Sequence, residues 1–184
     1  ASPELLRSGI ADRMYIALSA WLGRLPGGLL HTNIGASAMF AAVSGSSVAT
    51  TFAIGAILIP ALIKHGYPTA YAAALQATSA ELGVIIPPSI PMILYAMSAN
   101  ASIGALFYAG VLPGLLLCGG FMIACWWVGK RDNLPRESAP TDRAEFRRNL
   151  VYSIPAIALP ILIIVFLRFG IATPTEVSVM STLY

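Results

Sequence analysis

Charge is what this chain most lacks. Only 10% of its 184 residues are Asp, Glu, Lys or Arg, whereas 57% are apolar. A soluble domain carries about 25% charged residues, so a water-soluble globule is excluded and a membrane protein is indicated. Eleven basic residues against eight acidic ones leave a net charge of +3, too small and too scattered to serve a nucleic-acid partner. Cysteine is scarce as well. Cys118 and Cys125 both sit in an apolar run, which argues against a disulfide framework. Three chemical motifs are missing: a Gly-rich phosphate loop followed by Lys-Ser or Lys-Thr, an HExxH pair, and a CxxC pair. Transport driven by the chain's own ATP hydrolysis therefore has no motif to rest on, and an ion gradient is the natural energy source. The start, Ala1-Ser2-Pro3, has no signal-peptide pattern, and residues 177–184 are a fresh apolar stretch. The sequence is expected to be a fragment of a longer polytopic protein.

What the chain has in excess is Gly and Pro, sixteen and thirteen residues, a signature of interrupted membrane helices. Charge-free runs cover residues 25–63, 82–129 and 149–167. A straight span needs about 20 apolar residues, so 149–168 fits one span. The first run is too long for one span, and no polar loop divides it. Its middle, Ser44-Gly45-Ser46-Ser47, suits a tight reversal, which predicts a re-entrant hairpin of two half-helices, 33–43 and 48–63, meeting near mid-membrane. The second run is broken by Pro87-Pro88 and Pro91, because proline removes a backbone donor and expels the preceding residue from helical geometry. Half-helices 67–82 and 89–98 are expected around an unwound 83–88 linker, with Pro113-Gly114 kinking the next span. Trp126 and Trp127 before Lys130 and Arg131 read as an interfacial belt. An amphipathic N-terminal segment reads as lying along the interface.

Six basic residues between Lys130 and Arg148 make that loop cytoplasmic by the positive-inside rule. Counting spans backwards, the hairpin reading gathers Arg24 and Lys64 on that same side. The resulting architecture is an all-α polytopic membrane protein, with an arm helix and turn at 1–27, a re-entrant hairpin at 28–64 and a broken transmembrane helix at 65–99. A transmembrane helix at 102–129, a cytoplasmic loop at 130–148, a transmembrane helix at 149–168 and a truncated segment at 169–184 complete it.

A hairpin tip and an unwound linker at one depth create a polar cavity without charged side chains. Freed carbonyls at half-helix ends can coordinate a cation, and half-helix N-termini can hold an anionic group. A cation site is therefore expected between Ser44–Ser47 and Gly83–Pro88. The blander reading is that these small residues only allow close helix packing; two interruptions, each with hydroxyl residues, weigh against it. Glu81 lies deep in an apolar segment, where carboxylates are expensive; it either neutralises a cation, couples protons, or makes structural hydrogen bonds. His31 and His65 are expected at the cytoplasmic boundary. An intramembrane serine hydrolase built on Ser37 or Ser46 would need a base within reach of the serine, and both histidines sit at the predicted surface.

The ordered series of motifs resembles the large permease subunit of TRAP (tripartite ATP-independent periplasmic) transporters, of C4-dicarboxylate or sialic-acid type. It runs from Ser44-Gly-Ser-Ser-Val-Ala-Thr-Thr-Phe-Ala-Ile-Gly55 through Ile59-Pro60, His65-Gly-Tyr67 and Leu82-Gly-Val-Ile-Ile-Pro-Pro-Ser-Ile90. Tyr95, Phe107-Tyr-Ala-Gly110, Pro113-Gly114 and Gly170-Ile-Ala-Thr-Pro-Thr-Glu176 continue it. The resemblance implies two inverted repeats, each with a hairpin and a broken helix, moving as an elevator in the bacterial inner membrane; this chain holds the first repeat and the link into the second. It implies sodium-driven import of an organic acid, with sodium as coupling ion and no other cofactor. A periplasmic binding protein would deliver the substrate, alongside a small membrane subunit. On this resemblance Ser44, Gly45, Ser46, Ser47, Gly83, Ile86, Pro87 and Pro88 build a sodium site, largely from backbone carbonyls. Thr50 and Ser89 are candidates for polar contacts in the cavity, and Glu81 is a coupling or structural carboxylate. A stand-alone sodium-coupled dicarboxylate carrier is the nearest alternative, but the Ser-Asn-Thr tip common in those carriers is absent.

Overall fold

The computed structural model describes residues 25–132, with isolated positions at 18, 19, 22, 134 and 165–166. The expected arm helix, most of the 130–148 loop, the 149–168 span and the 169–184 segment lie outside the described residues.

The described chain is all helical. Helix α1 is Gly28–Ser44, α2 Ser47–Lys64, α3 Thr69–Ala80, α4 Leu82–Ile85, α5 Ile90–Ser98 and α6 Ile103–Arg131. Local chemistry sets most boundaries. Gly45 takes a left-handed φ of 61° after α1, and its amide donates to the Ala41 carbonyl at 2.8 Å, as helix-terminating glycines do. Ser46 then caps α2, its hydroxyl oxygen accepting from the Ala49 amide at 3.3 Å. Ser102 caps α6 in the same way through Ala105. At the far end of α6, Lys130 and Arg131 complement the helix dipole and lie over Trp126 and Trp127, 5.1 and 5.6 Å from the ring centroids. Helix α6 continues uninterrupted through Pro113.

The prolines break the next helix later than the sequence implies. Residues 83–85 remain helical, and the backbone leaves the helix only at Ile86, whose ψ is 122°. The physical reason is that Pro87 restricts the residue immediately before it, while Gly83 to Ile85 are still held by the Leu82 turn, with the Ile86 amide donating to the Leu82 carbonyl at 2.8 Å. Thr69–Ile85 and Ile90–Ser98 meet at a bend of 41°. The Pro87–Pro88 peptide is cis.

Both ends of the α1–α2 hairpin lie at one end of the bundle. Gly27 comes so near Gly129 that a Cβ on Gly27 would stand 3.3 Å from the Gly129 Cα, and Leu29, Leu62, Tyr67 and Cys125 share one buried cluster. The tip, in contrast, meets the α4–α5 break. Helix α1, 17 residues long, carries the tip about 25 Å into the molecule at 1.5 Å per residue, less than the roughly 30 Å hydrocarbon core of a bilayer. Among the described residues α2 and α6 are long and apolar enough to cross a membrane, and the bent pair makes a third candidate. Leu112, Leu116 and Ile123 on α6 are 66%, 68% and 69% exposed, a surface suited to lipid or a neighbouring helix rather than water.

His31 is buried in the first turn of α1, with Nδ1 3.1 Å from the Gly27 carbonyl oxygen. His65 is exposed beyond α2, its Nδ1 2.8 Å from the Ala61 oxygen.

Candidate functional site

The hairpin tip rests on the helix break. The Ile90 amide, at the start of α5, donates to the Gly45 carbonyl at 3.1 Å. A Cβ on Gly45 would lie 2.7 Å from the Pro88 carbonyl oxygen and 3.3 Å from the Ile90 nitrogen, so glycine is needed both for the left-handed turn and for this approach. Gly83 performs the corresponding function on the other side: a Cβ there would stand 3.0 Å from the Ser46 carbonyl carbon and 3.1 Å from its oxygen. Thus the structure brings Ser44–Ser47 and Gly83–Pro88 into one place.

Carbonyl supply at this junction follows from covalent chemistry. In an α-helix the amides of residues 87 and 88 would satisfy the carbonyls of Gly83 and Val84, but both residues are proline and have no N–H. Ser89 takes one of the two, its hydroxyl donating to the Val84 oxygen at 2.6 Å. On the hairpin side, the last carbonyls of α1 have no further turn to serve them. Carbonyl oxygens of the hairpin turn and of the bent helix thus lie at one junction, the Pro88 oxygen against Gly45 and the Ser46 oxygen against Gly83, with no carboxylate among these residues.

The hydroxyls mostly hold the tip in shape. Thr50 donates to the Ser46 carbonyl at 2.8 Å, alongside its own amide at 3.1 Å. Ser44 Oγ lies 3.2 Å from Thr50 Oγ1 and accepts from the Ser46 amide at 3.4 Å. Ser47, half-buried, accepts through its carbonyl from the Thr51 hydroxyl at 2.9 Å. Thr50 and Ser89 are both fully buried; they brace the tip and linker from within rather than facing an open cavity. Pro87 is buried, and Ile86 packs on Gly114 of α6.

Glu81 is elsewhere. It is exposed at the α3–α4 junction and makes no capping bond to α4. The histidines are also distant in role, their Nδ1 atoms lying against the Gly27 and Ala61 carbonyls, so no serine–histidine pair exists among the described residues. A cavity of about 370 Å³ between α1, α3 and α6 is lined by apolar groups such as Leu30, Leu75, Phe121 and Val128. No tip or linker residue lines it, and its chemistry suits hydrocarbon.

Sequence reasoning missed a polar seam beneath the tip. Gln76 on α3 donates through Nε2 to the Thr50 carbonyl at 3.3 Å, and Asn33 on α1 donates through Nδ2 to Ser79 Oγ at 2.9 Å. The only signal was isolated amide side chains inside apolar stretches.

Comparison with known proteins places the chain in a family. The family model described as "Tripartite ATP-independent periplasmic transporter, DctM component" matches residues 4–184. The chain is 45% identical over 181 residues to protein y4mL of Sinorhizobium fredii (strain NBRC 101917 / NGR234), covering 98% of this chain and 43% of that protein. It is 37% identical over 182 residues to the 2,3-diketo-L-gulonate TRAP transporter large permease protein YiaN of Escherichia coli (strain K12), covering 98% and 43%. With the C4-dicarboxylate TRAP transporter large permease protein DctM of Rhodobacter capsulatus the identity is 36% over 197 residues, covering 98% and 44%. The chain thus spans less than half the length of these relatives.

Proposed function

This chain belongs to the DctM component family of tripartite ATP-independent periplasmic transporters, multi-pass membrane permease subunits and not enzymes, and from that premise we propose that it forms part of a sodium-driven importer of an organic acid. The substrate class follows from relatives named for diketogulonate and C4-dicarboxylates. The setting is the bacterial inner membrane, with a periplasmic binding protein delivering substrate and a small membrane subunit beside the permease.

The observation that carries the reading is the Gly45–Ile90 contact. It joins a re-entrant tip to a helix break where prolines have removed the amides that would otherwise satisfy Gly83 and Val84. Neutral oxygens gathered at low desolvation cost suit a monovalent cation. Ser44, Gly45, Ser46 and Ser47 on one side, with Gly83, Ile86, Pro87 and Pro88 on the other, would hold sodium chiefly through backbone carbonyls. The Ser46 carbonyl, which already accepts from the Thr50 amide and hydroxyl, would contribute least. This unit is one repeat of an elevator that moves against a scaffold supplied by the rest of the permease.

Thiol labelling tests this. In the complete permease, Cys118 and Cys125 are replaced and Ser46→Cys is labelled from each side, in sodium and in potassium. Access from the Lys64 side, slowed by sodium, is the expected result. A cysteine unreactive under all conditions, with Leu25 and Lys64 mapping to opposite faces, would overturn it.

A further inference from the structure

We propose that ordered water occupies the buried seam between α1 and α3, beneath the hairpin tip, bonded to Asn33, Ser37 and Gln76. Three side-chain oxygens are buried there with no hydrogen-bond partner among the described residues: Asn33 Oδ1, Ser37 Oγ and Gln76 Oε1. Asn33 and Ser37 are 0% exposed and Gln76 1%. Burying such groups unpaired is costly.

The surrounding bonds fix which atoms need what. The Ser79 hydroxyl donates to the Leu75 carbonyl, so its oxygen is left to accept, and Asn33 must turn its NH2 toward it. A backbone carbonyl can only accept, so Gln76 must present its NH2 to Thr50. Both amide oxygens are therefore acceptors calling for donors. Ser37, one turn from Asn33 along α1, and Gln76, one turn from Ser79 along α3, extend the seam in both directions. Water donates to an amide oxygen and both donates to and accepts from a hydroxyl, which is what each of these groups lacks. The seam has no carboxylate among its bonded groups, and the near-complete burial of Asn33, Ser37, Gln76 and Ser79 closes it from bulk solvent.

The consequence is mechanical. The seam ties α1 to α3 through Asn33 and Ser79, and α3 to α2 through Gln76 and Thr50. The Thr50 hydroxyl in turn holds the Ser46 carbonyl at the tip. Hydrated, the seam makes the hairpin and the first half of the broken helix one body, whatever ion the tip binds.

Ser37→Ala in the complete permease tests the proposal, because removing an unpaired hydroxyl stabilises whereas removing a water-bonded one destabilises. Thermal denaturation of both forms is measured in sodium and in potassium, together with a density map at water-resolving resolution. The Tm of the variant is expected to fall by a few degrees equally in both salts, with a peak at hydrogen-bond distance from Asn33 Oδ1 or Gln76 Oε1. An unchanged or raised Tm, or a map without that peak, overturns the proposal. A fall confined to sodium also overturns it, since a cation would then occupy the seam.

Discussion

Gly45 and Ile90 are joined by a backbone hydrogen bond of 3.1 Å, the carbonyl of a turn between two helices accepting from the first amide of a third. The bond joins main-chain atoms, so most side-chain changes leave its donor and acceptor in place, and the backbone geometry that permits it is what a substitution must disturb.

Gly45→Ala tests that geometry directly. A side chain at φ 61° costs about 1–2 kcal/mol from the left-handed conformation alone, and the Cβ would also press on the Pro88 oxygen. The expected result is a Tm several degrees lower and uptake reduced at least tenfold, measured in proteoliposomes carrying the complete transporter. Wild-type stability in this variant would mean that the tip does not sit against the linker.

For Gly83→Ala two effects compete. Inside a helix, alanine gains about 0.8–1.0 kcal/mol over glycine. Here the Cβ would meet Ser46 backbone atoms at 3.0–3.1 Å, which no flexible group can relieve. We expect Ala to lower Tm despite its higher helix propensity. A raised Tm would show that Gly83 is an ordinary helical position.

Ser89→Ala should leave the Val84 carbonyl without its 2.6 Å donor at a position where Pro88 cannot replace it. A buried unsatisfied carbonyl costs about 1–3 kcal/mol. The loss should appear as a lower unfolding temperature, and Ser89→Thr should restore part of it. Equal stability of the alanine and wild-type forms would count against the bracing role.

Trp127→Leu should change little. Arg131 over the Trp127 ring is an exposed cation–π pair, worth about 0.5–1 kcal/mol, and leucine keeps the apolar contact with lipid. Uptake and Tm within error of wild type are expected; a severe loss would indicate a protein contact at this surface.

Much of this was legible in the chain because backbone chemistry writes itself into residue type. Ser44-Gly45-Ser46 encodes a turn through glycine's left-handed freedom and serine's capping oxygen. Pro87-Pro88 encodes a break. The extent of that break was not legible: proline's missing amide is felt four residues back, but its steric restriction acts only on Ile86, so 83–85 stay coiled. The burial of His31 was not legible either, because it depends on how the first turn of α1 packs and not on the charges beside it in the chain. The Asn33–Ser79 bond spans 46 positions, and nothing local to either residue names the other. Glu81 was visible as a carboxylate in an apolar run, but its facing depended on how α3 rotates against the hairpin.

The proline pair has a lasting implication for how such a protein can switch. A helix broken by weak packing can heal when its surroundings change, and many gates work by such winding and unwinding. This one cannot, because no rearrangement of the chain returns an amide proton to positions 87 and 88. The oxygens of Gly83 and Val84 are deprived of helical partners in every conformation the protein visits. Whatever satisfies them must come from outside the helix, as the Ser89 hydroxyl does for Val84, and the piece of chain packed nearest to Gly83 is the hairpin turn at Ser46.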